Sequence, residues 1–157
     1  MTLEDFNIDG RQAVVIGAGR GIGRGIALAF AEAGADVAVV ALNAMRIEEV
    51  ANRAQAMGVL ATGYSTNAVD ADAMDVLGAQ VLHDFPNLSI VVNCVGDSIR
   101  KQVADAHGEP GSGMTSADWH RIIDLNLSSA FEGCRVFGPH LRARGAGSVI
   151  NVSGVRG

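Results

Sequence analysis

The chain has 157 residues, about the size of one domain, of which 48% are hydrophobic and 18% are charged. That balance supports a buried core and excludes an intrinsically disordered chain. A net charge of −5 opposes binding to nucleic acid, whose backbone is itself negative. Cys94 and Cys134 form no C-x-x-C pair and the four histidines lack ligand spacing, so neither a disulfide framework nor a metal site is indicated.

Two segments bear on the location of the protein. Residues 1–6 are acidic where a secretory signal would be basic. Residues 26–42 are the most apolar stretch, but they include Glu32, Gly34 and Asp36 and therefore do not predict a membrane span. We expect a cytoplasmic protein that has no membrane partner.

Short apolar runs alternate along the chain with stretches of helical spacing. Five short runs predict strands. The runs at residues 13–16 and 36–42 predict buried strands, the run at 59–64 is weaker, and two more lie at 88–92 and 148–153. Periodicity and capping signals predict helices at residues 22–33, between Asn43 and Gly58, between Asp70 and Pro86, and between Thr115 and Gly145. Thr115 and Asp118 have the spacing of a capping box. The glycine-rich residues 97–114 predict an exposed loop, for which a short helix around Val103 is an alternative.

This alternation predicts a single α/β domain over residues 1–157. Buried parallel strands need helices on both faces, and right-handed crossovers favour a doubly wound, Rossmann-like sheet with the strand order 3-2-1-4-5. The fifth strand would be an apolar edge strand, and the long helix before it would leave Phe131, Phe137 and Leu141 partly bare. Because a bare apolar helix favours self-association, we expect a homo-oligomer.

The strongest local pattern is the glycine loop, residues 17–23 (G-A-G-R-G-I-G), between the first strand and the first helix. A sharp reversal needs positive φ or no side chain, and a diphosphate needs close approach to bare backbone. N–H groups at the start of the helix, aided by the helix dipole, then face the anion. The loop predicts a nucleotide site, and a glycine-rich connection in an unrelated α/β protein is the alternative.

Four more segments follow a fixed order around this G-x-x-x-G-x-G loop. They are residues 9–17 (D-G-R-Q-A-V-V-I-G), 93–96 (N-C-V-G), 119–126 (W-H-R-I-I-D-L-N) and 148–157 (S-V-I-N-V-S-G-V-R-G). Together with the loop they resemble the short-chain dehydrogenase/reductase family over nearly the whole chain. The resemblance implies NAD(P)-linked oxidoreduction of a small-molecule carbonyl or secondary alcohol, with hydride transfer by the cofactor.

The resemblance also implies roles for individual residues. The glycine loop would hold the phosphates through Gly17, Gly19, Arg20, Gly21, Ile22 and Gly23. Further cofactor-binding residues would be Asn43, Asn67, Asn93 and Gly96, with Asn67 facing the adenine amino group and Asn93 chiefly bracing the sheet through backbone bonds. The catalytic candidates are Asn126, which would hold a water of the proton relay, and Ser153.

The sequence departs from the family at its proton-transfer residues. The family places a Tyr-x-x-x-Lys pair beyond the serine loop, whereas Tyr64 and Lys101, the one tyrosine and the one lysine here, lie elsewhere. Gly154 stands where the family has its catalytic serine, and Ser153 lies one position early. We therefore expect this chain to be inactive on its own. Because its fifth strand would be an uncovered edge, we also expect it to be part of a longer domain whose C-terminal part it lacks. A natural truncation rescued by oligomerisation and pairing with another chain are the alternatives.

Cofactor choice depends on the end of the second strand. A carboxylate there normally binds the adenosine ribose and selects NAD, but Ala41 occupies that place and Leu42 and Asn43 follow it. Arg20 could bind a 2′-phosphate through its forked guanidinium, and Arg46 is a second candidate. The sequence therefore favours NADP over NAD. The alternative is that Arg20 packs locally or binds the diphosphate.

Two other functions stay open at this point. The chain could be a non-catalytic NAD(P)-binding subunit or sensor, in which Gly154 marks lost chemistry. It could also be an α/β domain that binds a flavin or another phosphate ligand.

Overall fold

A computed structural model describes residues 7–154 of the chain. Two ends of the chain lie outside the described residues. They are the acidic residues 1–6 and residues 155–157, which end the predicted serine loop. The strands are Gln12–Ile16 (β1), Asp36–Ala41 (β2), Ala61–Ser65 (β3), Leu88–Asn93 (β4) and Ser148–Asn151 (β5). The helices are Gly21–Glu32 (α1), Ala44–Gln55 (α2), Ala71–Asp84 (α3), Ser116–Ile123 (α4) and Ser129–Arg144 (α5).

The strands form one parallel sheet in the order β3-β2-β1-β4-β5, which confirms the predicted topology. β1 is central, and its Val14 aligns with Ala38 of β2 and Val91 of β4. Alternate residues of the strands feed two apolar clusters on opposite faces of the sheet. One cluster includes residues of α1 and α2, and the other includes residues of α3 and α5, so helices cover both faces.

Three predicted helix starts are confirmed by their capping bonds. Asn43 Oδ1 accepts the Arg46 N–H at 3.0 Å, and Asp70 Oδ1 accepts the Ala73 N–H at 3.1 Å. At α4, Thr115 Oγ1 accepts the Asp118 N–H and the Asp118 carboxylate accepts the Thr115 N–H, which completes the capping box. These caps satisfy N–H groups that have no partner within their helix.

The long C-terminal helix differs from the prediction of one uniform α-helix. A π-helical turn, Asp124–Ser128, separates α4 from α5. Within this turn Ser128 Oγ donates to Asp124 Oδ1, and Ser129 Oγ, at the start of α5, donates to the Leu125 carbonyl oxygen at 2.8 Å. Polar side chains that bond to the preceding turn compete with the regular backbone ladder, and they accompany the widened turn here.

Burial of this helix also corrects the prediction. Phe137 and Leu141 are buried in the cluster between the sheet and α3, because α3 packs directly against α5. Phe131 is 59% exposed, as predicted. β5 pairs only with β4, and its Val149 and Ile150 are 41% and 43% exposed, so it is the edge strand of the described sheet.

Residues 97–115 contain no helix around Val103, which is 86% exposed. Instead, the Asp105 carboxylate accepts the N–H groups of Gly111 and Gly113, both at 2.8 Å. These two bonds lower the pKa of Asp105. The Asp105 side chain thus fixes the conformation of this loop through hydrogen bonds to the backbone, in place of helical backbone bonds. None of the helices between residues 7 and 154 has the length and apolar character needed to cross a membrane.

Candidate functional site

The glycine loop leaves β1 at its carboxyl end and turns back between β2 and β4. The N–H groups of Gly17 and Ala18 donate to the Val40 carbonyl oxygen at 2.8 and 2.9 Å. Gly17 has a φ of +92°, and a Cβ on it would lie 2.6 Å from the Cys94 carbonyl oxygen. A Cβ on Gly23 would collide with the Gly17 carbonyl oxygen. The tight reversal therefore requires glycine at both positions.

The start of α1 has N–H groups available for an anion. Arg20 is the N-cap residue, in extended backbone, and its side chain makes no capping bond. The N–H groups of Gly21, Ile22 and Gly23 precede the first helical bond, from the Arg24 N–H to the Arg20 carbonyl oxygen at 3.3 Å. The helix dipole adds positive potential at the same place.

The end of β2 lies directly beside this loop. A Cβ on Gly19 would lie 3.1 Å from Ala41 Cβ and 3.6 Å from Arg46 Cβ, so the loop contacts both residues. Arg20 and Arg46 are exposed, and neither side chain forms an ion pair within residues 7–154. The corner thus combines two cations with no carboxylate at the end of β2.

Asn43 and Asn67, near the same edge of the sheet, each use their side-chain oxygen in a local hydrogen bond. Asn43 Oδ1 is occupied by the Arg46 N–H, which leaves its Nδ2 as the free donor. Asn67, two residues beyond β3, is exposed, and its Oδ1 accepts the Val69 N–H in a long 3.4 Å bond. Such a long bond leaves the Asn67 oxygen with capacity for a second donor.

Asn93 braces the sheet with both its backbone and its side chain. Its carbonyl oxygen accepts the Val152 N–H at 2.9 Å, which confirms the predicted backbone bracing. The buried side chain also donates from Nδ2 to Asn151 Oδ1 at 2.8 Å and to the Ala130 carbonyl oxygen at 3.4 Å. Sequence analysis missed this side-chain tie, which joins β4, β5 and α5.

Asn126 lies on the π-helical turn and faces the segment that follows β4. Its Nδ2 donates to the carbonyl oxygens of Asp97 at 2.9 Å and Ile122 at 3.0 Å, and its Oδ1 accepts the Asp97 N–H at 3.3 Å. A Cβ on Gly96 would lie 3.0 Å from Asn126 Oδ1. The structure therefore brings Asn126 and Gly96 together, and the amide of Asn126 fixes the backbone beside it.

Ser153 and Gly154 follow β5 and are exposed. Because Asn151 is in register with Asn93, Ser153 leaves the sheet at the same carboxyl edge as the 94–97 segment. The predicted site residues thus gather along one edge of the sheet, where ligands of doubly wound α/β proteins bind.

Tyr64 and Lys101 are engaged elsewhere. The buried Tyr64 hydroxyl donates to Asp84 Oδ2 at 2.6 Å, and burial together with this carboxylate raises the pKa of Tyr64. Lys101 Nζ lies 2.7 Å from Asp118 Oδ2, and this contact, with the Thr115 bonds, lowers the pKa of Asp118 to about 2. Neither side chain is poised as a proton donor at the sheet edge.

Comparison with known proteins places this geometry in a family. A family profile described as short chain dehydrogenase matches residues 11–157. The 2-dehydro-3-deoxy-D-gluconate 5-dehydrogenase of Pseudoalteromonas atlantica is 38% identical over 149 residues, which cover 94% of this chain and 56% of that protein. The chain spans about half the length of the curated relatives it matches.

Solved structures share the same fold. A 7α-hydroxysteroid dehydrogenase complexed with NADH and 7-oxo glycochenodeoxycholic acid has a TM-score of 0.87 and 27% identity, covering 98% of this chain and 56% of that one. A metagenomic short-chain oxidoreductase in complex with NADP has a TM-score of 0.84 and 28% identity, covering 95% of this chain and 64% of that one. The profile, the sequence relative and the structures agree, and the chain belongs to the short-chain dehydrogenase family.

Proposed function

We propose that this chain binds NADP, and NAD more weakly, as the cofactor-binding part of an oxidoreductase that acts on a small-molecule carbonyl or secondary alcohol. The observation that carries the proposal is the glycine loop. Its tight turn places the N–H groups of Gly21, Ile22 and Gly23 at the carboxyl edge of the sheet, ahead of the first helical bond of α1. When bound, the nicotinamide cofactor supplies the hydride chemistry.

The residues present fit a dinucleotide diphosphate. Gly17, Gly19, Gly21 and Gly23 leave a cradle of bare backbone, and the first N–H groups of α1 would hold the phosphate oxygens. Arg20 and Arg46, which have no acidic partner within residues 7–154, would hold the 2′-phosphate of NADP. Among the structural neighbours, one is a complex with NADP and another is a complex with NADH.

The asparagines would complete the cofactor site. The free Nδ2 of Asn43 would face the ribose, and Asn67 Oδ1 would accept from the adenine amino group. Asn93 and Gly96 would form part of the wall of the site and would not bind the phosphates. Asn126 would hold this wall in place through Asp97, and Ser153 would face the reacting end of the cofactor.

The proposed function leaves proton transfer without a placed donor among residues 7–154. Tyr64 is committed to Asp84, Lys101 is committed to Asp118, and Gly154 has no hydroxyl. We expect the chain to bind the dinucleotide and not to turn over a carbonyl or alcohol by itself. The same features favour the second candidate function, a non-catalytic NAD(P)-binding subunit or sensor.

Self-association is part of the proposal. Trp119, Leu127 and Phe131 lie at helical spacing along α4, the π-helical turn and α5, and they are 54%, 62% and 59% exposed. Large apolar side chains clustered on one helix face are typical of protein interfaces. We expect the face to be covered by a second copy of the chain.

Calorimetric titration of the purified protein with NADP+, NAD+ and flavin mononucleotide tests the proposal. Binding of NADP+ with a lower Kd than NAD+ is expected, with no binding of the flavin. Arg20→Gln should weaken the binding of NADP+ by about tenfold, the lower end of the range for one charged hydrogen bond, and leave the binding of NAD+ unchanged. Equal weakening of both would assign Arg20 to the diphosphate instead, and flavin binding without dinucleotide binding would overturn the proposal.

A further inference from the structure

The seam between α1 and α2 carries four charged residues in two layers. On α1, Arg20 is the N-cap residue and Arg24 follows one turn later. On α2, Arg46 lies in the first turn, and Glu49 follows three residues later on the same face. The two helices pack against each other. An upper layer of Arg20 and Arg46 therefore borders the end of β2, and a lower layer of Arg24 and Glu49 lies one turn below it.

The lower layer is an ion pair. Arg24 Nη2 lies 2.7 Å from Glu49 Oε1, and the two side chains are 35% and 57% exposed. Arg24 Nε is enclosed and has no hydrogen-bond partner in the part of the chain that the structure describes. The guanidinium is thus held across the seam by a single carboxylate.

The upper layer consists of two exposed cations that form no ion pair within the described residues 7–154. Gly19 contacts Arg46 and Ala41, so Arg46 stands at the corner where the adenosine ribose is expected. Glu49 is the acidic residue one turn from Arg46, and side chains at this spacing can interact directly. Whether the Glu49 carboxylate faces Arg24 or Arg46 therefore sets the charge of the corner.

We propose that Glu49 is a specificity-determining residue that sets the preference between NADP and NAD through its ion pair with Arg24. This inference rests on the proposed cofactor-binding function. While paired, Glu49 keeps the Arg24 guanidinium away from the 2′-phosphate and leaves Arg46 free to bind it. Without Glu49, Arg24 becomes a third cation near the corner. Without Arg24, the Glu49 carboxylate turns to Arg46 and repels the phosphate.

The two single substitutions therefore have opposite consequences. Glu49→Gln should raise the preference for NADP+ over NAD+, measured as the ratio of their Kd values, by about three- to fivefold, and Arg24→Gln should lower it by a similar factor. The double substitution should return the ratio close to that of the unmodified protein. NAD+ lacks the 2′-phosphate, so its Kd corrects for any general change in the site.

The test is calorimetric titration of the purified protein and the three variants with NADP+ and with NAD+, at low and at high salt. Asp75→Asn is the matched control, because it breaks the 2.8 Å ion pair with Arg135 on the other side of the sheet. It should leave the ratio unchanged. The two single-variant shifts should shrink at high salt, since exposed charges are screened. Thermal melts of all variants confirm that each is folded.

The outcomes separate this inference from the function on which it rests. If the unmodified protein binds neither dinucleotide, the proposed function fails and this inference fails with it. If binding is retained but the ratio is the same in Glu49→Gln and Arg24→Gln, only the role of Glu49 is overturned. A shift of the Kd ratio in the same direction in both variants would also overturn the role of Glu49. Loss of a purely structural ion pair has the same effect whichever partner is removed.

Discussion

Two glycines of α1 give the sharpest test of the phosphate cradle. A Cβ added to Gly23 would collide with the Gly17 carbonyl oxygen and approach Ala18 Cα to 3.2 Å. A Cβ added to Gly25, two residues later in the same helix, would meet nothing within 4 Å. Gly23→Ala and Gly25→Ala are therefore the same chemical change at sites that differ mainly in the space available.

The expected magnitudes follow from that difference. Alanine is favoured over glycine in a helix by about 1 kcal/mol, so Gly25→Ala should raise the free energy of unfolding by up to that amount. At Gly23 the collision should cost about 1–3 kcal/mol, which offsets or exceeds the helix gain. Displacing the loop should also remove one charged hydrogen bond to the diphosphate, worth about 1.5–3 kcal/mol, or about ten- to a hundredfold in Kd.

Urea unfolding and calorimetric titration with NADP+ measure both quantities on the same samples. Gly25→Ala should be more stable than the unmodified protein and bind with the same Kd. Gly23→Ala should lose affinity while remaining folded. Unchanged affinity in Gly23→Ala, or an equal loss in Gly25→Ala, would refute the reasoning that the close approach at Gly23 forms the cradle.

Three further predictions concern other parts of the molecule. Asn93→Leu should lower the free energy of unfolding by about 0.5–1.5 kcal/mol in urea titrations, because it removes the hydrogen bond from Asn93 Nδ2 to Asn151 Oδ1. The pKa of Asp118 is lowered to about 2 by Lys101 and Thr115, so its contribution to stability is present above the ordinary carboxyl pKa of 3.8 and is lost as pH falls toward 2. Asp118→Asn should therefore flatten the dependence of the melting temperature on pH between those values, and an unchanged slope would contradict the assignment. Phe131→Glu should lower the molar mass measured by light scattering to that of the monomer. A molar mass equal to that of the unmodified protein would contradict self-association through this face.

The topology and the caps were predictable because their signals are local. Apolar runs at β1 and β2 report burial on both faces, and Asn43, Asp70 and Thr115 satisfy N–H groups three residues ahead. The glycine loop was predictable for the same reason, since the turn between strand and helix needs missing side chains at fixed places.

Features set by tertiary contacts were not predictable. Phe137 and Leu141 were expected to be partly bare because the sequence does not reveal that α3 packs against α5. The tie from Asn93 to Asn151 joins residues that are distant in the chain, as does the Arg24–Glu49 ion pair. No periodicity encodes such pairs.

Local irregularities were missed for a different reason. The π-helical turn at Asp124–Ser128 lies inside one long stretch of helical sequence, so the polar residues Asp124, Asn126 and Ser128 were the only local signal available. The loop organised by Asp105 has the glycine content of a flexible connection, although its two carboxylate bonds give it a defined conformation.

In the proposed cofactor site, backbone N–H groups of the glycine loop bind the dinucleotide diphosphate. Amide chemical shifts of the labelled protein during titration with NADP+ measure this directly. The amides of Gly19, Gly21 and Gly23 should move and saturate together, while those of Gly108 and Gly111 in the distant loop stay in place. Loop amides that remain still at saturating NADP+ would contradict the claim.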